Sequence, residues 1–241
     1  NEVISLILKK ANWQNDKNDL INLAAAYACQ NNVVKEAEIL QILQQKWPQD
    51  RLSCLDYARA LMRLGNHEEA KSLLESVIGW REDCHIRVVH AYCLIHLERK
   101  EEAQRECHLI MKQWPSTESS LCLAYFYEKT SQFDLAIKTI MNIPQWAESK
   151  KTLIALGHCY RKMKNHEEAI SYFKKIPHWQ NDAEVINVIA LTYIENKAYD
   201  LAEKIFLSYS EWKTDPLILV GLIRLYADMN HPDVQKMINI A

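Results

Sequence analysis

Glycine and proline are scarce in this 241-residue chain, at four and six residues. That scarcity excludes long Gly-rich or Pro-rich linkers as sizeable parts of it. A surplus of one charge is missing too: 29 Lys and Arg stand against 31 Asp and Glu, a formal net charge of −2. Gripping duplex phosphates takes a cation surplus, because backbone neutralisation supplies most of that affinity. Nucleic acid is therefore not the expected partner. No hydrophobic run approaches the roughly eighteen residues of a membrane span, so no membrane insertion is expected. The first residues do not read as a secretory leader. Seven Cys are present but no CxxC pair. They stand in apolar, helix-like stretches and read as free buried thiols of a reducing compartment, which makes cytoplasmic the expected location. Catalytic signatures are absent as well: there is no GxSxG, Walker A, GxGxxG or HExxH string. The expectation is a non-enzyme, with no cofactor and no metal.

What is present is a beat. Ala37, Ala70, Ala103, Ala136, Ala169 and Ala202 follow one another at intervals of 33 residues. Twelve positions before each stands another small residue: Ala25, Ala58, Ala91, Ala124, Gly157 and Ala190. All seven Trp keep the same time, at 13, 47, 80, 114, 146, 179 and 212. The string NHEEA occurs at both 66–70 and 165–169. A period of this length marks a repeat architecture rather than a single globular core.

Within one period the pattern resolves into two helices. Residues 151–163 place Leu153, Leu156, Gly157 and Tyr160 on one helical face. Asn165 precedes Glu168 by three, a capping-box signature repeated at Asn66 and Glu69. A second helix then runs to about 175, with Ala169, Ile170, Phe173 and Ile176 inward, and Pro177 discourages its continuation. After each Trp a new N-cap is expected: Asp16, Asp50, Asp83, Thr117, Ser149, Asp182 and Asp215, the last followed by Pro216 at the preferred first position. The unit is helix A, a tight turn, helix B, Trp, and the cap of the next helix A. Paired helices sit about 8–10 Å apart, and the close end of that range needs little side chain at the crossing. Ala25 with Ala37, or Gly157 with Ala169, would supply it. One pair cannot bury its own apolar face, so the pairs must stack.

Small residues twelve apart, Phe133 and Tyr199 near the start of helix B, Phe173 and Phe206 four past the anchor, and Tyr127, Tyr160 and Tyr193 three past the first small residue resemble the tetratricopeptide repeat. The resemblance covers essentially the whole chain and is strongest over 118–212; Val34 and Gln41 replace expected aromatics in the first pair. The family's helix-A Trp is missing, and a Trp near the end of helix B appears instead. The resemblance implies an all-α, right-handed α-solenoid: one array over 1–241, with a partial repeat 1–15, repeats at about 16–48, 49–81, 82–115, 116–147, 148–180 and 181–213, and a partial repeat 214–241. Both ends fall inside a unit, with a partial helix B after Asn230, His231 and Pro232, so a segment of a larger protein is expected.

Candidate sites were weighed against structural roles. The Trp row could offer stacking platforms, yet its strict phase and neighbouring caps favour wedges between successive helices. Cys84, His85, His90, Cys93, His96, Cys107 and His108 include metal-ligand types but no zinc spacing, which favours lone buried thiols. NHEEA needs no catalytic role: Asn caps, Glu suits the helix N-terminus, and Ala is the packing anchor. The family resemblance places ligands along the inner surface of helix A. Counted from the anchors, the residues facing it are Asn22, Arg59, Arg63, His85, Tyr92, His96, Tyr125, Lys129, His158, Arg161 and Lys162. Acids on that face, mainly Glu118, Glu128, Glu184 and Glu195, lie to one side. A groove basic in its middle is expected, suited to a protein or peptide partner, acidic in character, or to an anionic polysaccharide; a solvated face without a ligand is the alternative. Three functions fit: a non-catalytic protein-interaction scaffold holding an extended segment, a regulatory or positioning domain of a larger bacterial-type enzyme such as a glycan polymerase or transferase, or a spacer that self-associates through its end repeats.

Overall fold

The computed structural model describes residues 2–229, and among these it is helical, with no strand. The helices are α1 Glu2–Leu8, α2 Lys17–Cys29, α3 Val33–Lys46, α4 Arg51–Arg63, α5 His67–Ser76, α6 Cys84–His96, α7 Lys100–Gln113, α8 Thr117–Lys129, α9 Phe133–Met141, α10 Lys150–Lys162, α11 His166–Lys174, α12 Ala183–Glu195, α13 Tyr199–Ser208 and α14 Pro216–Asp228. Even numbers are helix A and odd numbers helix B. The expected helix B after Asn230 lies outside the described residues.

The six A–B turns among the described residues are built alike. Asn31, Gly65, Glu98, Ser131, Lys164 and Lys197 stand at positive φ, between 54° and 83°. The next residue donates its N–H to a carbonyl five back: Asn32 to Tyr27, Asn66 to Leu61, Arg99 to Leu94, Gln132 to Tyr127, Asn165 to Tyr160 and Ala198 to Tyr193, all at 2.8–3.0 Å. This is a Schellman closure, which satisfies orphan carbonyls of helix A. The donor residue is also the N-cap of helix B, so two residues reverse the chain. In one copy of NHEEA the Asn165 side chain accepts from Glu168 N–H at 3.4 Å; Asn66 makes no such bond.

Two forms recur at the B–A junctions. Trp47 and Trp114 close α3 and α7 and precede Pro48 and Pro115. Trp80, Trp146 and Trp179 instead open 3₁₀ turns behind Gly79, Gln145 and His178, each at positive φ. Asp16, Asp50, Asp83, Asp182 and Asp215 then cap the following helix A through side-chain oxygens. Two expected caps differ. Ser116 Oγ, not Thr117, accepts from Ser119 N–H at 3.1 Å, because the chain enters α8 one residue earlier. Ser149 makes no side-chain cap bond, and Thr152 Oγ1 donates instead to the carbonyls of Ser149 and Trp146. The caps also link neighbours: Lys17 Nζ reaches Asp50 at 2.8 Å and Lys150 Nζ reaches Asp182 at 2.6 Å. Burial pushes the Asp50 carboxyl up, but the bonds from Lys17 and Ser53 outweigh it and hold its pKa below the usual value.

The chain divides into two compact units, Asn1–Phe126 and Tyr127–Ala241. In the first, Leu20, Leu23, Leu43, Ala58, Ala70 and Leu74 lie in one continuous core. In the second, Ile186, Ala190, Ala202, Phe206, Ile218 and Leu222 do the same. The small residues at 58, 70, 91, 103, 136, 169, 190 and 202 are fully covered. Ala25 is the exception. It is exposed, and Ala24 enters the core in its place. Ala25 faces an open space that residues of α4 and α6 also line. Of the Trp row only Trp80 is buried; the other six are half-buried, with Trp13, Trp47, Trp179 and Trp212 packed against the cores.

Candidate binding groove

Exposure of Ala25 has a consequence for α2. Ala24, Ala25 and Ala28 put almost no side chain on the side of α2 that looks toward α4 and α6. The space left open is a groove of about 900 Å³ in the first unit, lined by α2, α3, α4 and α6 and reached by Glu118 of α8. Leu40, Leu43, Met62, Val88 and Val89 form apolar lining, with Ile21 and Leu52. Leu52 is 74% exposed, an apolar side chain left at the rim. Unpartnered apolar surface of this kind marks binding grooves more often than plain solvated faces.

Its charged lining is paired. Lys17 bonds Asp50, Arg59 Nη1 lies 3.4 Å from Asp56, and Arg63 Nη2 lies 2.5 Å from Glu36 Oε1. Glu118 Oε2 meets His85 Nδ1 at 3.0 Å. Four carboxylates (Glu36, Asp50, Asp56, Glu118) thus line the groove against three permanent cations (Lys17, Arg59, Arg63). This groove is not basic. Each of its cations already faces an acid, so an anionic ligand would have to displace one.

Of the eleven expected residues, Arg59, Arg63, Tyr92 and His96 line this groove. Asn22 is exposed on α2 outside the lining, and His85 stands beside it on Glu118. Tyr125 donates or accepts through its hydroxyl with His96 Nε2 at 3.1 Å, and its ring lies 5.3 Å from that of Tyr92. His96 stacks on His67, the first residue of α5, at 4.5 Å and 12°. Burial raises the Tyr92 hydroxyl well above its ordinary pKa, so it stays protonated. The remaining four belong to the second unit. There Lys129, Arg161 and Lys162 surround Glu128, whose carboxyl is raised by burial and pulled back by those cations. Arg161 Nε stands 3.8 Å from Glu195 Oε2. The His158 ring packs edge-on against Phe173 at 5.8 Å, and burial, aided by Arg161, lowers its pKa to about 4. It is a neutral, half-buried ring rather than a cationic contact.

Glu36, Ala28, Val88 and Val89 were not expected in the site. Glu36 sits in the first turn of α3, a helix B, and reaches the groove because the two-residue reversal brings that turn beside the end of helix A. The available signal was its position one before the anchor Ala37. The thiols and imidazoles do not converge: among the described residues no group of three His, Cys, Asp or Glu could hold a metal ion. All seven Cys are free; Cys107 and Cys122 come closest, at 3.8 Å between sulfurs. Among the described residues no helix is long and apolar enough to cross a membrane.

Residues 53–84 and 151–176 match the family model described as tetratricopeptide repeat. The first stretch contains most of α4 and all of α5; the second contains most of α10 and all of α11. No curated protein matches the chain. Among solved structures, a tetratricopeptide repeat protein from Parabacteroides merdae is similar at 16% identity, with 93% of each chain covered and a TM-score of 0.59. A thermophilic protein of the same kind from Thermus thermophilus gives a TM-score of 0.66 at 14% identity, covering 74% of this chain and 100% of its own. A chain of the APC/C Cut9–Hcn1 hetero-tetramer gives 0.63 at 17% identity over 92% of this chain. Against that chain, the present one spans 45% of the length, less than half. At these identities the likeness is one of fold: stacked helical pairs.

Proposed function

We propose that this chain of tetratricopeptide repeats is a non-catalytic scaffold whose first unit holds an extended segment of a partner protein. The chain carries tetratricopeptide repeats, and such repeats present the inner surface of helix A. One observation carries the reading: the open groove of about 900 Å³ left by Ala24, Ala25 and Ala28, with apolar lining and an exposed apolar rim. A volume in that range accommodates a few side chains of a peptide, and apolar burial supplies the affinity while paired charges set orientation. Of the eleven helix-A residues named from the sequence, six bear on this groove, in two ways. Arg59, Arg63, Tyr92 and His96 would touch the segment; His85 and Tyr125 would hold Glu118 and His96 in place.

The test is selection of phage-displayed random dodecapeptides on the full chain, followed by titration of the enriched peptide against variants. Ala25→Trp and Ala28→Trp put an indole into the groove from an exposed and a half-buried position. Both should abolish binding while leaving helical circular dichroism unchanged. No enriched peptide, or binding that survives both substitutions, would end the reading.

A further inference from the structure

The partner's chemistry can be read from one atom. Glu36 is only 6% exposed, yet among the described residues its Oε2 has no hydrogen-bond partner. Its other oxygen, Oε1, takes Arg63 Nη2 at 2.5 Å. A carboxylate offers about four acceptor positions, and a buried acceptor without a donor is unfavourable wherever it occurs. Glu36 lines the groove, and because Oε2 itself is closed off from solvent, a donor carried by a ligand there reaches it by shifting the carboxylate.

No cation of the groove is spare to serve it. Lys17 and Arg59 are bound to Asp50 and Asp56. With four carboxylates against three permanent cations, the lining keeps one negative charge over. Leu40, Leu43 and Met62 share the lining with these charges. We propose that the segment held by the first groove is apolar and carries one Lys or Arg, whose terminal N–H donates to Glu36 Oε2. The inference rests on the groove reading above and deepens it: the ligand is cationic at one point, not anionic. A charged donor is favoured over a neutral one because a charge-assisted bond to carboxylate is the stronger and the lining is acidic in sum. The apolar neighbours of that Lys or Arg would lie along Val88, Val89 and the alanines of α2.

The experiment uses the full chain and the phage-displayed dodecapeptides. The enriched sequences should share one Lys or Arg at a fixed place between apolar residues. In the resynthesised peptide, replacing that cation by norleucine should weaken binding by about tenfold or more, the size expected for a lost charge-assisted bond. Glu36→Gln should weaken the parent peptide similarly and make the norleucine replacement almost without effect. The norleucine arm uses the unaltered protein, so it stands even if Glu36→Gln folds poorly. An enriched peptide that Ala25→Trp displaces but that has no fixed cation, or an acidic consensus, overturns this inference and leaves the groove intact. So does equal sensitivity to norleucine in the parent and Glu36→Gln chains. A peptide indifferent to Ala25→Trp overturns the groove itself.

Discussion

Gly157 on α10 lies directly beneath the ring of Phe173 on α11, and a Cβ at 157 would overlap three carbons of that ring. Phe173 is fully buried, so its ring has no solvent to move into. The small residue at this beat makes room for an aromatic four past the anchor, rather than merely meeting the anchor Ala169. Gly221 of α14 likewise lies against the ring of Phe206, on the preceding helix α13.

Replacing Gly157 by Ala would ordinarily stabilise a helix interior by about 1 kcal/mol. Here the opposite is expected, because overpacking of a close-packed site costs about 1–3 kcal/mol. Urea unfolding of Gly157→Ala should show a loss, and pairing it with Phe173→Leu should cost less than the two changes summed. A gain in stability from the single change would mean that the helices part easily at this crossing.

The A–B turns hold a second expectation. Six turns place a residue at positive φ, and only Gly65 is a glycine among them. A side chain in the left-handed region costs about 1–2 kcal/mol, partly offset by the lower unfolded-state entropy of a non-glycine residue. Lys164→Gly, at φ 62°, should therefore raise stability by a few tenths to about 1 kcal/mol. Gly65→Ala, at φ 83°, should lower it by a similar amount. Thermal melts of the two variants, moving in opposite directions, would check both.

His158 makes a pH prediction. Its folded pKa of about 4 lies below the ordinary value of 6.5, through burial first and the charge of Arg161 second, with Lys162 acting the same way and Glu184 against. Above pH 6.5 both states keep the ring neutral and its contribution is constant. Between 6.5 and 4 the unfolded chain binds a proton that the folded chain refuses, so stability falls as pH falls, then levels off below about 4. The ring is half-buried rather than sealed, so the expected size is about 2–3 kcal/mol across that window. His158→Gln should flatten the decline in urea midpoints between pH 7 and pH 4.5. An unchanged slope would place the ring in water.

Much of this architecture is legible in the residues, because its causes are local. Alanines 33 apart can be counted, and each marks a place where a helix is covered. Aspartates after five of the seven Trp cap helices as their chemistry demands. The reversals were harder to see: Glu98, Ser131 and Lys164 adopt a conformation usually flagged by glycine, and the Schellman bonds enforce it without one. The groove was legible only in part. Arg59, Arg63, Tyr92 and His96 follow from helical counting, but pairing decides what their charges can do, and pairing is a matter of distance. Arg63 and Glu36 stand 27 positions apart on different helices and meet at 2.5 Å. Counting along helix A alone could not find that partner. It made the groove look basic when its cations are already paired.

The same dependence on pairing governs Arg87, a cation buried to 7% exposure on α6. Its Nε donates to Glu106 Oε1 at 2.6 Å, its Nη1 to Gln113 Oε1 at 3.1 Å, and its guanidinium lies 5.4 Å from the Trp114 ring centroid. Glu106 is itself little exposed, at 15% of its side chain. Removing one partner of such a pair leaves a charge that neither water nor protein satisfies, so Glu106→Ala should lower unfolding stability by about 3–5 kcal/mol. Replacing both, as Arg87→Met with Glu106→Leu, removes the charges together and should cost clearly less, because buried pairs contribute little net stability against apolar residues of similar volume. Chemical denaturation of the two chains separates the cases. If the double replacement is the less stable, then the fan of bonds around Arg87 fixes the α6–α7 packing and does more than neutralise a charge.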